Sequence, residues 1–173
     1  NQRHVGALVY EPVSGKLFAG AHADGGLWVS DDGAGANWRA LTNGLDRPHI
    51  YTLNARRIGD AVTLFLGTSP AALYRSDDLG ESWAEIPSLL EVPGTGKGPF
   101  PPPPHIPHVT HIVAHPNEPE TLFVLVEQGA LLKSTDDGKS WTGLAGYSEP
   151  DEIAYRDVHR LLISANDPDL MYL

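Results

Sequence analysis

Residues 76–83 read SDDLGESW and residues 134–141 read STDDGKSW, so the pattern Ser-x-Asp-x-Gly-x-x-Trp occurs twice without change. A looser copy, SDDGAGANW, occupies residues 30–38 and contains one additional residue. Each copy follows a short apolar segment and leads into another segment that starts at the Trp. A turn that recurs between short apolar segments indicates a repeated antiparallel hairpin, and this repeat decides the fold class.

The residue types in the pattern suit a tight turn. Ser and Asp oxygens accept backbone N–H groups, and Gly adopts the positive φ that tight turns require. The Trp buries its ring and keeps its N–H available for a hydrogen bond. We therefore expect a structural role for the pattern, with Trp83 and Trp141 buried.

The pattern resembles the Asp box, or BNR repeat, of β-propellers, which occurs in sialidases, xyloglucanases, sortilin-type receptors and photosystem II assembly factors. The resemblance implies an all-β propeller of four-stranded antiparallel blades. It also implies that the boxes lie on outer turns, away from the central funnel where ligands bind. The residues that carry it are Ser30, Asp32, Trp38, Ser76, Asp78, Gly80, Trp83, Ser134, Asp136, Gly138 and Trp141.

The composition is typical of a chain with many short strands, since 18 Gly and 15 Pro occur in 173 residues. The absence of Cys excludes disulfides and thiolate zinc sites. The net charge of −10 disfavours nucleic acid as a partner, because phosphate binding needs clustered Lys and Arg. No apolar run predicts a membrane span, and no leader pattern is visible. We expect a cytoplasmic location, or a periplasmic or secreted one if a leader was removed.

Alignment on the boxes predicts a single propeller domain over residues 1–173. It assigns blade one to 4–43, blade two to 49–90, a Pro-rich insertion to 91–107, blade three to 108–146 and the start of blade four to 157–173. The segments NEPETLF at 117–123 and NDPDLMY at 166–172 support the repeat outside the boxes. Closed rings have about four to eight blades. We therefore expect further blades of the same protein, or a second chain, to complete a ring of about seven.

Histidine precedes the first strand of three units, at His4, His49 and His108, and Asp157 takes this position in the fourth. His4 and His49 are 45 residues apart, as are Trp38 and Trp83, so the histidines occupy equivalent positions. Innermost strands start around the propeller axis, so these side chains are expected to converge. Imidazoles with one carboxylate suit a divalent transition metal such as zinc, copper, manganese or iron. The alternative is structural, with each His bonded to a neighbouring blade's backbone.

Further polar and aromatic residues are expected on the same face. His111, His159 and Arg160 are the candidate catalytic residues, and His22, Tyr51 and His105 are the candidate ligand-binding residues. The insertion at 91–107, with Pro101 to Pro104 in a row, is expected to form a wall of this site. The acidic segment 149–152 is expected to be a solvated loop.

Three functions fit these observations. The first is a metal-dependent hydrolase or oxidase acting on a small molecule. The second is a glycoside hydrolase of the xyloglucanase type, which needs paired carboxylates and aromatic platforms, for which Tyr51 and Tyr155 are the candidates. The third is a non-enzymatic module that binds or assembles proteins. Sialidase activity is disfavoured because the Phe/Tyr-Arg-Ile-Pro motif is absent, and no nucleotide-binding motif occurs.

Overall fold

The computed structural model describes residues 4–92, 106–127, 130–146 and 159–173. Three four-stranded antiparallel sheets and one two-stranded hairpin make up the described part of the chain. The predicted fold class, an all-β propeller of four-stranded blades, is confirmed. His105, Tyr155, Asp157, the acidic segment 149–152 and most of the Pro-rich insertion lie outside the described residues.

Each blade is a meander, in which consecutive strands pair in order. Blade one contains β1 (Val5–Glu11), β2 (Lys16–Ala21), β3 (Leu27–Ser30) and β4 (Arg39–Leu41). Blade two contains β5 (Ile50–Ile58), β6 (Ala61–Thr68), β7 (Leu73–Ser76) and β8 (Ala84–Glu85). Blade three contains β9 (Val109–Ala114), β10 (Leu122–Val126), β11 (Ala130–Ser134) and β12 (Thr142–Gly146). The terminal hairpin contains β13 (Leu162–Ile163) and β14 (Met171–Tyr172).

The Asp-box turns are closed by their own side chains. In blade two, Ser76 Oγ accepts the Gly80 N–H at 2.9 Å, and Asp78 Oδ1 accepts the Ser82 N–H at 2.9 Å. The Trp83 Nε1–H donates to the Gly80 carbonyl at 3.0 Å. Blade three repeats the Ser and Asp contacts. The turn chemistry expected from the pattern is therefore present in both unaltered copies.

The expected burial of the two Trp rings is correct for Trp83, which is buried, whereas Trp141 is half-buried. The Trp141 Nε1–H donates to Ser88 Oγ at 3.1 Å, in the short helical turn that follows blade two. The two indoles thus have different hydrogen-bond partners, although they occupy equivalent positions in the repeat.

Apolar cores lie between consecutive blades rather than within one blade. Phe18 and Leu27 of blade one pack with Ile50 and Tyr74 of blade two, and a second core joins blades two and three. A smaller core places Leu161 against Phe123 and Leu125 of blade three. Among the described residues, no helix is long and apolar enough to cross a membrane.

Two glycines allow adjacent blades to approach closely. A Cβ placed on Gly20 of β2 would lie 2.4 Å from Ile50 Cγ2, and one on Gly67 of β6 would lie 2.4 Å from Val109 Cγ1. Both distances are far below van der Waals contact, so each glycine forms a recess that receives the first residue of the next blade. Small residues at these positions set the distance between blades.

We expect Gly20→Ala to lower the free energy of unfolding by about 1–3 kcal/mol, the usual cost of overpacking a core. Gly143→Ala is the matched control, because a Cβ at Gly143 would meet nothing within 4 Å. Urea denaturation of both variants measures the difference. Equal stabilities for the two variants would contradict the recess described for Gly20.

Candidate functional site at the funnel face

The funnel face is the side of the molecule on which the innermost strands β1, β5 and β9 begin. A repeated backbone hydrogen bond orders this face. The N–H groups of His22, Ser69 and Glu127 donate to the carbonyls of His4, His49 and His108 at 2.8, 2.9 and 2.8 Å. His22, Ser69 and Glu127 therefore occupy one repeat position after the second strand, next to the histidines that precede the first strand.

Each innermost strand also has a bulge at its second residue. The pairing with the second strand skips Gly6 in β1, Tyr51 in β5 and Thr110 in β9. A bulge re-aims its side chain relative to the regular ladder. At Gly6 a Cβ would lie only 2.0 Å from His22 Nε2, so the absence of a side chain there provides the space for the His22 ring.

Four rings from the three blades form one group, the His–Tyr cluster of His22, His49, Tyr51 and His108. Tyr51 stacks on His22 at 4.5 Å with an interplanar angle of 17°, and on His108 at 4.3 Å with an angle of 13°. His49 is tilted against the other rings, with its centroid 4.9 Å from Tyr51 and 5.4 Å from His22. Both faces of the Tyr51 ring are therefore covered by imidazoles.

Polar groups at both ring nitrogens fix the orientation of His108. Its Nδ1 lies 2.6 Å from Ser69 Oγ, and its Nε2 lies 3.0 Å from Glu127 Oε2. The Nδ1 contact is a hydrogen bond with the Ser69 hydroxyl, whereas the Nε2 contact with Glu127 is one of distance alone, without hydrogen-bond geometry. Burial, together with the charge of His22, lowers the pKa of His108. Burial and the nearby Glu127 raise the pKa of Tyr51.

The structure brings together two of the predicted metal ligands, His49 and His108, with ring centroids 6.5 Å apart. His4 is exposed and makes none of the ring contacts found among the described residues. His22 lies beside His49 instead, because Gly6 leaves room for it. Within residues 4–92, 106–127, 130–146 and 159–173, no three His, Asp or Glu side chains form a group that could hold a metal ion. Since Asp157 lies outside these ranges, the metal site stays a prediction.

The predicted catalytic residues His111, His159 and Arg160 meet at the junction between blade three and the terminal hairpin. Burial and the charge of Arg160 lower the pKa of His111, and a hydrogen bond to the His159 backbone opposes this effect. No ring contact joins His111 to the His–Tyr cluster in the described part of the chain. Their catalytic role stays a prediction.

Ser69 and Glu127 were not predicted from the sequence, although both contact His108. A signal was present, because both follow the second strand of their blade at the position of His22. That position is His in blade one, Ser in blade two and Glu in blade three, so residue identity does not reveal the equivalence. The shared backbone hydrogen bond reveals it instead.

We expect the free energy of unfolding to fall as the pH is lowered from 7 to about 5. His108 and His111 have lowered pKa values in the folded protein, so the unfolded chain binds protons that the folded chain does not. The stabilisation that these neutral histidines provide is therefore fully present above pH 6.5, the approximate pKa of histidine in the unfolded chain. It is lost as the pH falls toward the lower pKa values of the folded protein. Urea denaturation at several pH values measures the slope. The dependence of stability on pH should become shallower in His108→Gln but not in His4→Gln. A stability of the unaltered chain that does not change with pH would contradict this prediction.

Comparison with known proteins gives no matching family model. Over 139 residues the chain is 28% identical to the vacuolar protein sorting/targeting protein 10 of Fusarium vanettenii. The match covers 76% of this chain and 8% of that protein. The chain thus spans a small part of the curated relative.

Three solved structures share the fold. A GH74 xyloglucanase from Xanthomonas campestris superposes with a TM-score of 0.64 at 19% identity, covering 95% of this chain and 26% of that one. YCF48 bound to D1 peptide superposes with a TM-score of 0.64 at 15% identity, covering 96% of this chain and 46% of that one. An ancestral GH74 enzyme superposes with a TM-score of 0.70 at 16% identity, covering 97% of this chain and 21% of that one.

These identities establish the architecture and leave activity to the site itself. The hydrogen-bonded Ser-x-Asp-x-Gly-x-x-Trp turns, the four-stranded meanders and the structural matches agree on one architecture. The chain therefore has a β-propeller fold whose blades carry Asp-box turns.

Proposed function

We propose that this protein is a binding module that holds a segment of a partner protein at its funnel face. The observation that carries the proposal is the His–Tyr cluster, in which three blades contribute rings to one stacked surface. Rings already fixed by stacking lose little conformational entropy when a partner binds, and such amphipathic rings suit protein interfaces.

The geometry of the cluster favours binding over metal catalysis. Face-to-face stacking directs the ring nitrogens of His22 and His108 sideways rather than toward a shared point. Both nitrogens of His108 already lie near Ser69 Oγ and Glu127 Oε2. A metal ion at either nitrogen would have to displace the group that already contacts that nitrogen, which would cost part of its binding energy.

The cluster also argues against a sugar platform at Tyr51. A sugar stacks on an open aromatic face, whereas His22 and His108 cover both faces of this ring. Glu127 is the carboxylate beside the cluster, and its contact with His108 opposes a role as a free acid or nucleophile. A glycoside hydrolase mechanism therefore gains no support from the described residues.

The charge of the chain suggests the chemistry of the partner. The net charge is −10, and Glu127 provides a carboxylate at the cluster. Complementary potentials steer association, so the partner segment should carry Arg or Lys. A protein with the same fold, YCF48, has been solved with a bound D1 peptide.

Fluorescence anisotropy with labelled peptides tests this proposal. The probes are short peptides containing Arg and Tyr, and matched peptides in which Glu replaces Arg. We expect saturable binding of the Arg peptides alone, and a loss of about ten-fold in affinity, ~1.4 kcal/mol, in Tyr51→Ala. The control is Tyr172→Ala, an exposed tyrosine of the hairpin, which should bind as the unaltered chain does.

Equal affinities for Tyr51→Ala and Tyr172→Ala would overturn the proposal, provided that thermal melts show both variants folded. Elemental analysis of the purified protein provides a second test. Stoichiometric zinc that disappears in His49→Ala would support the metal-dependent function instead.

A further inference from the structure

The two imidazoles that cover the Tyr51 ring are held in different ways. His108 is tied down by the hydrogen bond between its Nδ1 and the Ser69 hydroxyl, at 2.6 Å. His22 instead occupies the space that Gly6 leaves open. A Cβ on Gly6 would lie 2.0, 2.5 and 3.1 Å from three atoms of the His22 ring, Nε2, Cδ2 and Cε1. The position of this ring therefore depends on the absence of one methyl group.

The backbone at Gly6 does not itself require glycine. Gly6 is not among the glycines with a positive φ, so its conformation suits alanine. A methyl group there would meet a side-chain ring that can rotate, whereas the His22 backbone is held by its hydrogen bond to the His4 carbonyl at 2.8 Å. Alanine at position 6 would therefore move the imidazole off Tyr51 and leave the strand pairing in place.

The covered ring changes how a cation can bind at this face. Guanidinium groups stack on the open faces of aromatic rings, and this contact favours arginine over lysine. Tyr51 offers no such face, since His22 lies 4.5 Å from it on one side and His108 lies 4.3 Å from it on the other. A cation therefore meets the edges of the rings rather than their π-faces.

The carboxylate beside the cluster is also partly occupied. Glu127 Oε2 lies 3.0 Å from His108 Nε2, and the Glu127 side chain is 21% exposed. Arginine gains over lysine when it contacts both oxygens of a carboxylate at once. Because one oxygen already lies against an imidazole, this two-point contact is hindered. Charge attraction, which lysine and arginine share, is the contact that remains.

We propose that His22, positioned by Gly6, determines specificity by keeping planar groups off Tyr51, so that the funnel face accepts lysine and arginine alike. This inference rests on the proposed binding of a cationic partner segment. His22 acts as a cover, and its removal turns Tyr51 into a stacking platform that selects arginine. One residue of blade one thus decides which chemistry of the cation is recognised.

Two fluorescent peptides that differ only at their basic positions test this inference. Both consist of Gly and Ser with several basic residues, which are arginine in one peptide and lysine in the other. Affinities are measured by anisotropy at pH 8, where histidine is ordinarily neutral. We expect the two dissociation constants to agree within about two-fold for the unaltered chain. In His22→Ala the arginine peptide should bind at least about five-fold more tightly than the lysine peptide, because one face of Tyr51 opens.

Three further variants isolate the cause, with thermal melts to confirm that each is folded. Gly6→Ala should show the same preference for arginine, because the methyl group displaces the same ring. The double variant of Gly6→Ala and His22→Ala should show no larger preference, since both changes open one face. Gly143→Ala is the matched control, because a Cβ there would meet nothing within 4 Å, and it should not discriminate between the peptides.

NMR spectroscopy follows the ring itself. Stacking on Tyr51 should shift the ring protons of His22 upfield, and this shift should disappear in Gly6→Ala but persist in Gly143→Ala. Unchanged His22 shifts in Gly6→Ala would overturn the role of Gly6.

The binding results separate this inference from the proposed function. Strong preference for arginine in the unaltered chain, or equal affinities for the two peptides in His22→Ala, would overturn the inference and leave partner binding standing. Failure of both peptides to bind the unaltered chain would overturn the proposed function, together with the inference that rests on it.

Discussion

Trp83→Ala should lower the free energy of unfolding by about 3–5 kcal/mol, the range for deleting a buried aromatic side chain. The Trp83 ring fills the core between blades one and two, and its Nε1–H is bonded to the Gly80 carbonyl at 3.0 Å. Removal leaves a cavity and an unpaired carbonyl. Guanidinium denaturation followed by circular dichroism measures the loss.

Trp38→Ala is the internal control for this prediction. Trp38 occupies the same repeat position and donates to Gly35 O at 2.9 Å, but it is 38% exposed whereas Trp83 is 6% exposed. Deleting it removes less buried area, so the loss should be clearly smaller than at Trp83. A larger loss at Trp38 would show that the box stabilises its own turn rather than the junction between blades.

Asp137→Ala should destabilise the protein by about 3–5 kcal/mol, the cost of leaving a buried charge without its partner. The Arg56 side chain is 6% exposed, and its Nη1 lies 2.5 Å from Asp137 Oδ1. Arg75 pairs with the other carboxylate oxygen. Two arginines of blade two therefore hold one aspartate of blade three, and Asp137 has a φ of 61° that Ala adopts less readily. Thermal and urea denaturation measure the effect.

Two variants separate the causes. Asp137→Asn keeps a hydrogen-bond acceptor and tolerates the positive φ, so it should recover part of the lost stability. Asp31→Ala removes an exposed carboxylate that pairs with Lys16 and Arg39, and should cost less than about 1 kcal/mol. If Asp31→Ala proved as costly as Asp137→Ala, the importance assigned to the buried ion pair would be mistaken.

The fold could be predicted because its determinants are local in sequence. Ser76, Asp78, Gly80 and Trp83 lie within eight residues, and their hydrogen bonds close one turn. The alternation of apolar residues in the flanking segments then sets the strands. Since the turn recurs at intervals of one blade, the sequence predicted the architecture without knowledge of any contact between blades.

The funnel face was less predictable because its contacts join distant residues. His49 and His108 were expected at this face, and their rings do approach each other. The place of His22 depends on the missing side chain of Gly6, which no histidine pattern reveals. The Arg56–Asp137 pair spans 81 residues and joins two blades, so residue type alone could not indicate it.

The bulges at Gly6, Tyr51 and Thr110 separate the regular, stabilising part of each blade from the position that differs between blades at the funnel face. A bulged residue lies outside the hydrogen-bonded ladder, so its side chain can change without loss of strand pairing. The same repeat position therefore carries only hydrogen at Gly6, a phenol at Tyr51 and a hydroxyl at Thr110. Duplication of such a blade copies a scaffold that is already stable and leaves one position free to acquire new specificity.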